Sequence, residues 1–270
     1  YVRTSNVGSL PATSCSGATA ANYSFTYTSG SVVIEKKTLT VTASSHSVTY
    51  GDAKPTVSPS YDGFVNSQNA TALTTAPTCD TTYSTTSGFG TVASTCSGGV
   101  ATNYSFSFTP GVISVAKKTL TVTASSHIVT YGDSAPSPTP SYDGWVNSQG
   151  VGAITTAPTC TTAYTNTTAV ASSGIATSCS GGLAANYAFT FVAGAITINA
   201  KSVMVTASSP TVTYGDAVPS ITPSYGDFVN GQSSSVVSNT ACTTVYVRTS
   251  NVGSLPATSC SGATAANYSF

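Results

Sequence analysis

Seven cysteines are the residues of this chain whose type and spacing suggest chemistry. Four of them recur at intervals of 81, 83 and 81 residues: Cys15, Cys96, Cys179 and Cys260. Three others precede a member of this series by 17, 19 and 18 residues: Cys79, Cys160 and Cys242. This phasing predicts three disulfides, which join Cys79 to Cys96, Cys160 to Cys179 and Cys242 to Cys260. Cys15 is then the second half of a pair whose partner lies outside this chain or in a neighbouring chain.

Metal binding is the alternative use of these thiols. Two cysteines per repeat, without histidine or further cysteine at the same phase, cannot complete a tetrahedral zinc site. A disulfide that closes a loop of this length stabilises a domain by about 3 kcal/mol. Because such bonds persist in oxidising compartments, the sequence predicts a secreted, extracellular or cell-surface protein without a bound metal.

A Tyr-Gly-Asp sequence recurs with the same period, at residues 50–52, 131–133 and 214–216. Glycine adopts positive φ easily and aspartate bonds back to its own backbone, so each copy predicts a turn. The same aspartates, with Asp62, Asp143 and Asp227, could bind calcium, but calcium takes six to eight oxygens and each repeat offers few carboxylates. Turn formation is therefore the favoured interpretation, and no cofactor is expected. The predicted turn residues are Gly51, Asp52, Gly132, Asp133, Gly215 and Asp216.

Candidate catalytic groups are few. His46 and His127 occupy one phase of the repeat, but Pro210 stands there in the third copy, which argues against a catalytic role. No serine lies in a nucleophile-elbow sequence, and no glycine-rich phosphate loop precedes a helix. Recurrent residues such as Lys37 and Asn103 suggest the Lys–Asn cross-links of some extracellular fibres, but that chemistry needs a buried acid beside the pair. We therefore expect a polar border at these positions and no enzymatic activity.

The repeat divides the chain into four segments. Residues 1–35 are the C-terminal part of a module, 36–116 and 117–199 are complete modules, and 200–270 form a module that lacks its last strand. Residues 1–25 are identical to residues 246–270, so the chain starts and stops at the same phase. This favours a window onto a longer array. The alternative is a subunit with split end modules, in which residues 26–35 of one chain supply the missing strand of another.

Hydrophobic alternation predicts short strands within each module. Residues 37–43 and 104–108 alternate apolar and polar side chains, which is the period of a strand with one buried face. Closely spaced turn signals, such as Pro110-Gly111, give about seven strands per module. The sequence thus predicts an all-β tandem array of small modules of about 82 residues, each an Ig-like β-sandwich or a β-grasp-like sheet. The predicted core of the first complete module is Leu39, Val41, Val48, Tyr50, Tyr61, Phe64, Tyr104, Phe106 and Val115.

Charge is scarce in this sequence. Charged residues make up 6% of the chain, and eight basic residues balance eight acidic ones; an ordinary soluble domain has about 25% charged residues. Without a basic patch, nucleic acid is not an expected partner. Apolar runs such as residues 191–196 fall far short of the roughly 20 residues that a spanning helix needs, so no membrane insertion is expected.

The order of the motifs resembles a known family. It runs through Leu-Thr-Val-Thr-Ala at 39–43, Tyr-Gly-Asp at 50–52, Pro-Ser-Tyr-Asp-Gly-Phe-Val-Asn at 59–66, Asn-Tyr-Ser-Phe at 103–106 and Gly-Val-Ile-Ser-Val at 111–115. This order is similar to the MBG/YDG repeat modules of large bacterial surface proteins, and the resemblance covers nearly the whole chain. It implies a secreted adhesin or cell-surface filament whose tandem modules act as a stalk, and it carries no catalytic residues.

Two functions from different classes follow from these patterns. The first is the structural repeat region of a secreted cell-surface fibre or adhesin stalk, whose partners are other copies of itself in head-to-tail or lateral contacts. The alternative is a carbohydrate- or receptor-binding adhesin module, in which aromatics such as Trp145, at the phase of Phe64 and Phe228, stack on surface glycans. An exposed aromatic row would favour glycan binding, whereas burial would favour a packing role.

Overall fold

The computed structural model describes residues 2–270 as an all-β chain. Strands and single turns of 3-10 helix are its regular elements, and no α-helix is present among these residues. No helix in this range has the length and apolarity to cross a membrane. Tyr1, with which the predicted 1–35 segment begins, lies outside the described residues. The prediction of an all-β tandem array is confirmed.

The chain forms two compact units. The first contains the residues up to Thr119 together with Trp145–Ala153 and Ala184–Ala188. The second contains Leu120–Gly144, Ile154–Leu183 and Phe189–Phe270. The predicted segment boundaries at residues 36, 117 and 200 stay predictions, and the segments are used below as names for the repeats.

The strands up to residue 116 all belong to the first unit. They are β1 Ala12–Thr13, β2 Gly30–Ser31, β3 Lys37–Ala43, β4 His46–Thr49, β5 Pro59–Asp62, β6 Thr78–Thr81, β7 Gly90–Ser97, β8 Tyr104–Thr109 and β9 Gly111–Ala116.

Fifteen further strands follow in the described chain. They are β10 Lys118–Ala124, β11 His127–Thr130, β12 Pro140–Asp143, β13 Ile154–Thr156, β14 Thr159–Thr162, β15 Ile175–Ser180, β16 Leu183–Ala184, β17 Tyr187–Val192, β18 Gly194–Asn199, β19 Lys201–Ser202, β20 Val205–Ala207, β21 Pro223–Tyr225, β22 Ala241–Thr244, β23 Thr258–Ser261 and β24 Tyr268–Ser269. The 3-10 turns are Ala70–Ala72, Val151–Ala153, Val170–Ser172 and Ser234–Val236.

The repeat at 36–116 folds into two mixed sheets. One has the strand order β5-β3-β8 and the other β4-β9-β7-β6. β3 runs antiparallel to β5 and parallel to β8, and β9 runs antiparallel to β7 and parallel to β4. In β3, alternation buries Leu39, Val41 and Ala43 and turns the threonines outward, as the sequence pattern requires.

The next repeats reuse this arrangement. Residues 117–199 form a sheet of order β12-β10-β17 and a sheet of order β11-β18-β15-β14, with a small β13-β16 pair. Residues 200–270 form three two-stranded sheets, β19-β24, β20-β21 and β22-β23. The same strand order therefore results wherever the repeat sequence recurs in full.

The predicted core of the first complete repeat is largely buried. Leu39, Val41, Tyr50, Tyr104 and Val115 are buried, and the remaining predicted core residues are half-buried: Val48, Tyr61, Phe64 and Phe106. Some buried residues were not among those that the hydrophobic alternation predicted. The core further includes Ile113 and Tyr83, as well as Ser94, whose hydroxyl donates a 2.8 Å hydrogen bond to the Ser44 carbonyl. Without that bond, a buried hydroxyl would destabilise the fold.

Each repeat with two cysteines contains a disulfide between adjacent strands. Cys79 faces Cys96 across β6 and β7, and the bonds Cys160–Cys179 and Cys242–Cys260 lie at the same place in the later repeats. Cys15 is free and exposed. The three disulfides indicate an oxidising environment.

Candidate functional site at the Tyr-Gly-Asp turns

Each Tyr-Gly-Asp sequence forms a tight turn after a Thr residue. At the first copy, the Asp52 amide donates to the Thr49 carbonyl (2.9 Å), and the Thr49 amide donates to the Asp52 carboxylate (2.7 Å). Gly51 between them has a φ of 92°, in the region that favours glycine. The same two bonds form at Asp133 and at Asp216. All three copies therefore form the same tight turn, and each aspartate carboxylate accepts a hydrogen bond from a backbone amide.

A buried tyrosine fixes each turn from the core side. The Tyr83 hydroxyl donates to the Asp52 carbonyl (2.9 Å), and Tyr164 and Tyr246 do the same for the later aspartates. Burial raises the pKa of Tyr83, and the nearby Asp52 carboxylate adds to that rise. The pKa of Tyr164 is raised for the same reasons, first burial and then the carboxylate of its turn. Tyr83 and Tyr164 are therefore held as neutral hydrogen-bond donors.

In the first unit, the turn at Gly51 packs against the following repeat. A Cβ atom on Gly51 would lie 2.7 Å from Cγ2 of Val146, which leaves no space for a side chain. Beside it, the Tyr50 ring meets the Tyr187 ring edge to face, with centroids 5.6 Å apart. Tyr50 is only 3% exposed as a result. Gly51 therefore serves both the backbone conformation and the close contact.

In the second unit, the turn at Gly132 makes the same contact. A Cβ atom on Gly132 would lie 2.6 Å from Cγ2 of Val229. The Tyr131 ring packs edge to face on Tyr268, with centroids 5.5 Å apart, and its hydroxyl donates to Gln232 (3.2 Å). Two independent copies of one contact show that the repeat sequence encodes it.

Two asparagine side chains of one repeat form hydrogen bonds with a loop of the repeat before it. In the first unit, Asn186 Oδ1 accepts from the Phe89 amide (2.9 Å), and Asn147 Nδ2 donates to the Thr85 carbonyl (2.7 Å). Asn267 and Asn230 hold residues 166–170 of the second unit in the same way. Near the start of the chain, Asn103 and Asn66 hold residues 3–7.

We call this set of contacts the inter-repeat joint. One repeat contributes the Tyr-Gly-Asp turn and the loop corresponding to 85–89, and the next contributes its Val-Asn sequence and its late Asn-Tyr pair. At the third turn, the joint has no counterpart among the described residues. Tyr214 is 63% exposed, and a Cβ atom on Gly215 would meet nothing within 4 Å.

At this border, the Asn186 and Lys117 side chains each bond to a backbone group. The Asn186 side chain is engaged by the Phe89 amide, while its carbonyl accepts from the Lys118 amide (2.9 Å). Lys117 donates to the Ala184 carbonyl (2.9 Å) and lies over the Phe89 ring, 5.4 Å from its centroid. These contacts fit the expected polar border between repeats.

The other candidates from the sequence have local partners. His46 and His127 each hydrogen-bond a serine two residues before them, at 2.9 Å. Among residues 2–270, no three side chains of His, Cys, Asp or Glu come together in a group that could hold a metal ion. Trp145 is half-buried, with its ring edge to face on Tyr187 at 5.0 Å, and Phe64 and Phe228 pack similarly on tyrosines. This packing favours a core role over glycan stacking for the aromatic row.

The sequence interpretation missed the relation between two motifs. It placed Tyr-Gly-Asp and the aromatic-Val-Asn sequence within one module, whereas the structure brings the turn of one repeat onto the valine of the next. The common period of the two motifs could have indicated this contact. Two motifs that recur together can contact each other across a border between modules as well as inside one module.

Comparison with known families gives one match. Residues 39–114, 120–197 and 203–270 each match the family described as the MBG domain of the YGX type, and together they cover most of the chain. The Tyr-Gly pair of the turn lies inside each matched range. No curated protein matches the sequence.

Proposed function

Because the chain belongs to the family of MBG domains of the YGX type, we propose that it is the structural repeat region of a secreted cell-surface fibre or adhesin stalk. The family match covers three tandem repeats, and such repeats are typical of surface adhesin-like proteins. In this role the number of repeats sets the reach of the fibre, since each repeat contacts mainly its neighbours.

The inter-repeat joint is the observation that carries the proposal. A flexible string of domains would leave its border residues in water, but Tyr50 and Tyr131 are buried at 3% and 4% exposure by contacts with the following repeat. Hydrogen bonds from the asparagines fix the adjoining loops. Buried aromatic contacts and directed hydrogen bonds at the same border resist bending, which suits a load-bearing stalk.

The composition and the disulfides support an extracellular location. Three disulfides suit an oxidising environment outside the cytosol. A chain with 6% charged residues that is rich in Ser, Thr, Asn and Gly depends little on ionic strength, because screening acts on charges. The proposed partners are other copies of the chain, and the proposed role is non-catalytic.

The location and form of the protein in its native source test this function. Antibodies raised against the 270-residue chain should label intact, unpermeabilised cells, and immunogold electron microscopy should show the label along surface filaments. Label that appears only after permeabilisation, or that is confined to the cell interior, would contradict the proposal.

A further inference from the structure

The inter-repeat joint of the second unit contains a turn that differs at one residue from the corresponding turns of the other repeats. Its sequence is Val229-Asn230-Gly231-Gln232, whereas serine follows the asparagine in Asn66-Ser67 and in Asn147-Ser148. Asn230-Gly231 is the only Asn-Gly pair of the chain. This turn thus carries a residue pair that the other two lack.

The backbone of the turn has the same conformation with either residue. φ is 58° at Asn230 and 69° at Gly231, and a 3.1 Å hydrogen bond between the backbones of the two outer residues closes the turn. Positive φ at both central positions matches a type I′ turn, for which Asn-Gly is a preferred pair. Ser67 and Ser148 adopt φ values of 56° and 55° at the place of Gly231. Serine at this place is therefore a matched control that the chain itself supplies.

The Asn-Gly pair is open to water and sterically unhindered. Asn230 and Gly231 are both exposed, and a Cβ atom on Gly231 would meet nothing within 4 Å. Because Gly231 has no side chain, its amide nitrogen can approach the Asn230 side chain, and the backbone can rotate as this approach requires. A serine side chain restricts both the approach and the rotation.

We propose that Asn230 is a self-modification site, at which the chain converts this asparagine to aspartate or isoaspartate. The Gly231 amide nitrogen loses its proton and attacks Asn230 Cγ, so that an N–Cγ bond forms, the Cγ–Nδ2 bond breaks and ammonia leaves. Water then opens the cyclic imide. Opening at Cγ gives aspartate, and opening at the main-chain carbonyl gives isoaspartate, in which the main chain runs through Cβ and Cγ. No atom is oxidised or reduced, and water is the only co-reactant.

Either product removes a hydrogen bond that ties two repeats together. Asn230 Nδ2 donates to the Asn166 carbonyl (2.8 Å), which belongs to the loop that the joint holds. A carboxylate has no hydrogen to donate there, and it repels the carbonyl oxygen. Isoaspartate also lengthens the backbone next to Val229, which packs closely on Gly132. Because the conversion does not reverse in water, it loosens this joint with time, whereas the joint of the first unit keeps its amide.

Incubation of the 270-residue chain in mildly alkaline buffer, followed by peptide mapping with mass spectrometry, tests the site. Loss of the amide should be faster at Asn230 than at Asn66 and Asn147, which serve as references inside the same molecule. Gly231→Ser, which gives the turn the sequence of its counterparts, should slow the loss at Asn230 to the rate at Asn147. Equal rates at the three asparagines of the parent, or an unchanged rate at Asn230 in Gly231→Ser, would overturn the inference.

Hydrogen exchange of residues 165–170 tests the effect on the joint. Exchange in the converted protein should be about tenfold faster than in fresh protein, which corresponds to about 1.4 kcal/mol for the lost hydrogen bond. Asn230→Asp should show this change without incubation, and fresh Gly231→Ser should match the fresh parent. Unchanged exchange after full conversion would overturn the inference. These measurements do not depend on where the protein resides, so this inference and the proposed surface location can fail separately.

Discussion

At the scale of single residues, the glycine of the Tyr-Gly-Asp turn meets two separate demands. Its positive φ is needed at all three copies, with values of 92°, 96° and 87° at Gly51, Gly132 and Gly215. Among residues 2–270, Gly51 and Gly132 also face a valine of the following repeat, whereas a Cβ atom on Gly215 would meet nothing within 4 Å. The chain therefore contains its own control, because one turn has the backbone requirement without the packing requirement.

Alanine at these glycines should separate the two demands. Gly215→Ala should lower the free energy of unfolding by about 1–2 kcal/mol, the usual penalty for a side chain in the left-handed region. Gly51→Ala should cost about 1–3 kcal/mol more, because its Cβ atom overlaps Val146. Urea unfolding of both variants measures the difference. Equal costs would mean that the contact with Val146 adds nothing.

The buried tyrosines predict sensitivity to alkaline pH. Burial raises the pKa of Tyr83 and Tyr164 above the value near 10 of a free tyrosine. A raised pKa in the folded state means that their stabilisation is complete below pH about 10 and is lost as the pH rises through the folded-state pKa. The Tm should therefore fall steeply above pH about 10.

A variant with Tyr83→Phe and Tyr164→Phe provides the control for this titration. It should be less stable at pH 7 by about 1 kcal/mol per lost hydroxyl bond. Its Tm should then decline less between pH 9 and 11, a range flanking the tyrosine pKa of about 10, than that of the parent. Parallel Tm curves for the two proteins would show that other groups cause the alkaline loss.

At the scale of elements, the asparagines tie a loop to the sheet of the next repeat with opposite hydrogen-bonding roles. Asn186 accepts through Oδ1 from the Phe89 amide, whereas Asn147 donates through Nδ2 to the Thr85 carbonyl. A carboxylate oxygen can accept a hydrogen bond in place of Asn186 Oδ1. It has no hydrogen to donate in place of Asn147 Nδ2. Aspartate is therefore a selective probe of the joint.

Asn147→Asp should loosen the loop, and Asn186→Asp should leave it nearly unchanged. The first change sets a carboxylate against a carbonyl oxygen and should cost about 1–3 kcal/mol. The second keeps its acceptor. Hydrogen exchange of residues 84–89 reports the opening of the loop directly. Faster exchange in Asn186→Asp than in Asn147→Asp would contradict the assigned roles.

The Cys160–Cys179 disulfide stabilises the β14–β15 pair and is not part of the inter-repeat joint. Replacing Cys160 and Cys179 together by alanine opens a loop of 19 residues and should cost about 3 kcal/mol. Urea unfolding with and without reductant measures this loss. Reductant should lower the stability of the parent more than that of the double variant, because the parent has one more bond to lose. An equal effect of reductant on both would mean that this disulfide contributes nothing.

At the scale of the whole molecule, periodicity in the sequence accounts for most of the architecture. The phased cysteines, the Tyr-Gly-Asp turns and the alternation in β3 each depend on local geometry or on repetition, which a single sequence displays. Residues such as Leu39 and Tyr104 follow from alternation alone. The all-β array was predictable for these reasons.

Contacts that depend on strand order were not predictable from the same patterns. Nothing in the sequence of β4 or β9 indicates that these strands run parallel, since alternation is the same in parallel and antiparallel neighbours. Ser94 looks like a surface residue until β9 covers it. The inter-repeat joint was not predicted for a related reason. Its partner residues belong to different repeats, and only the folding of both repeats brings them together.

The turn of one repeat packs directly on the valine of the next, and a double-mutant cycle between Gly51 and Val146 tests this contact. Trp145, the only tryptophan, lies beside Val146 and reports local unfolding by its fluorescence. We predict that Gly51→Ala costs less in a Val146→Ala background, by about 0.5–3 kcal/mol, and approaches the cost of Gly215→Ala. Additive costs, within about 0.5 kcal/mol, would contradict a direct contact between the two repeats.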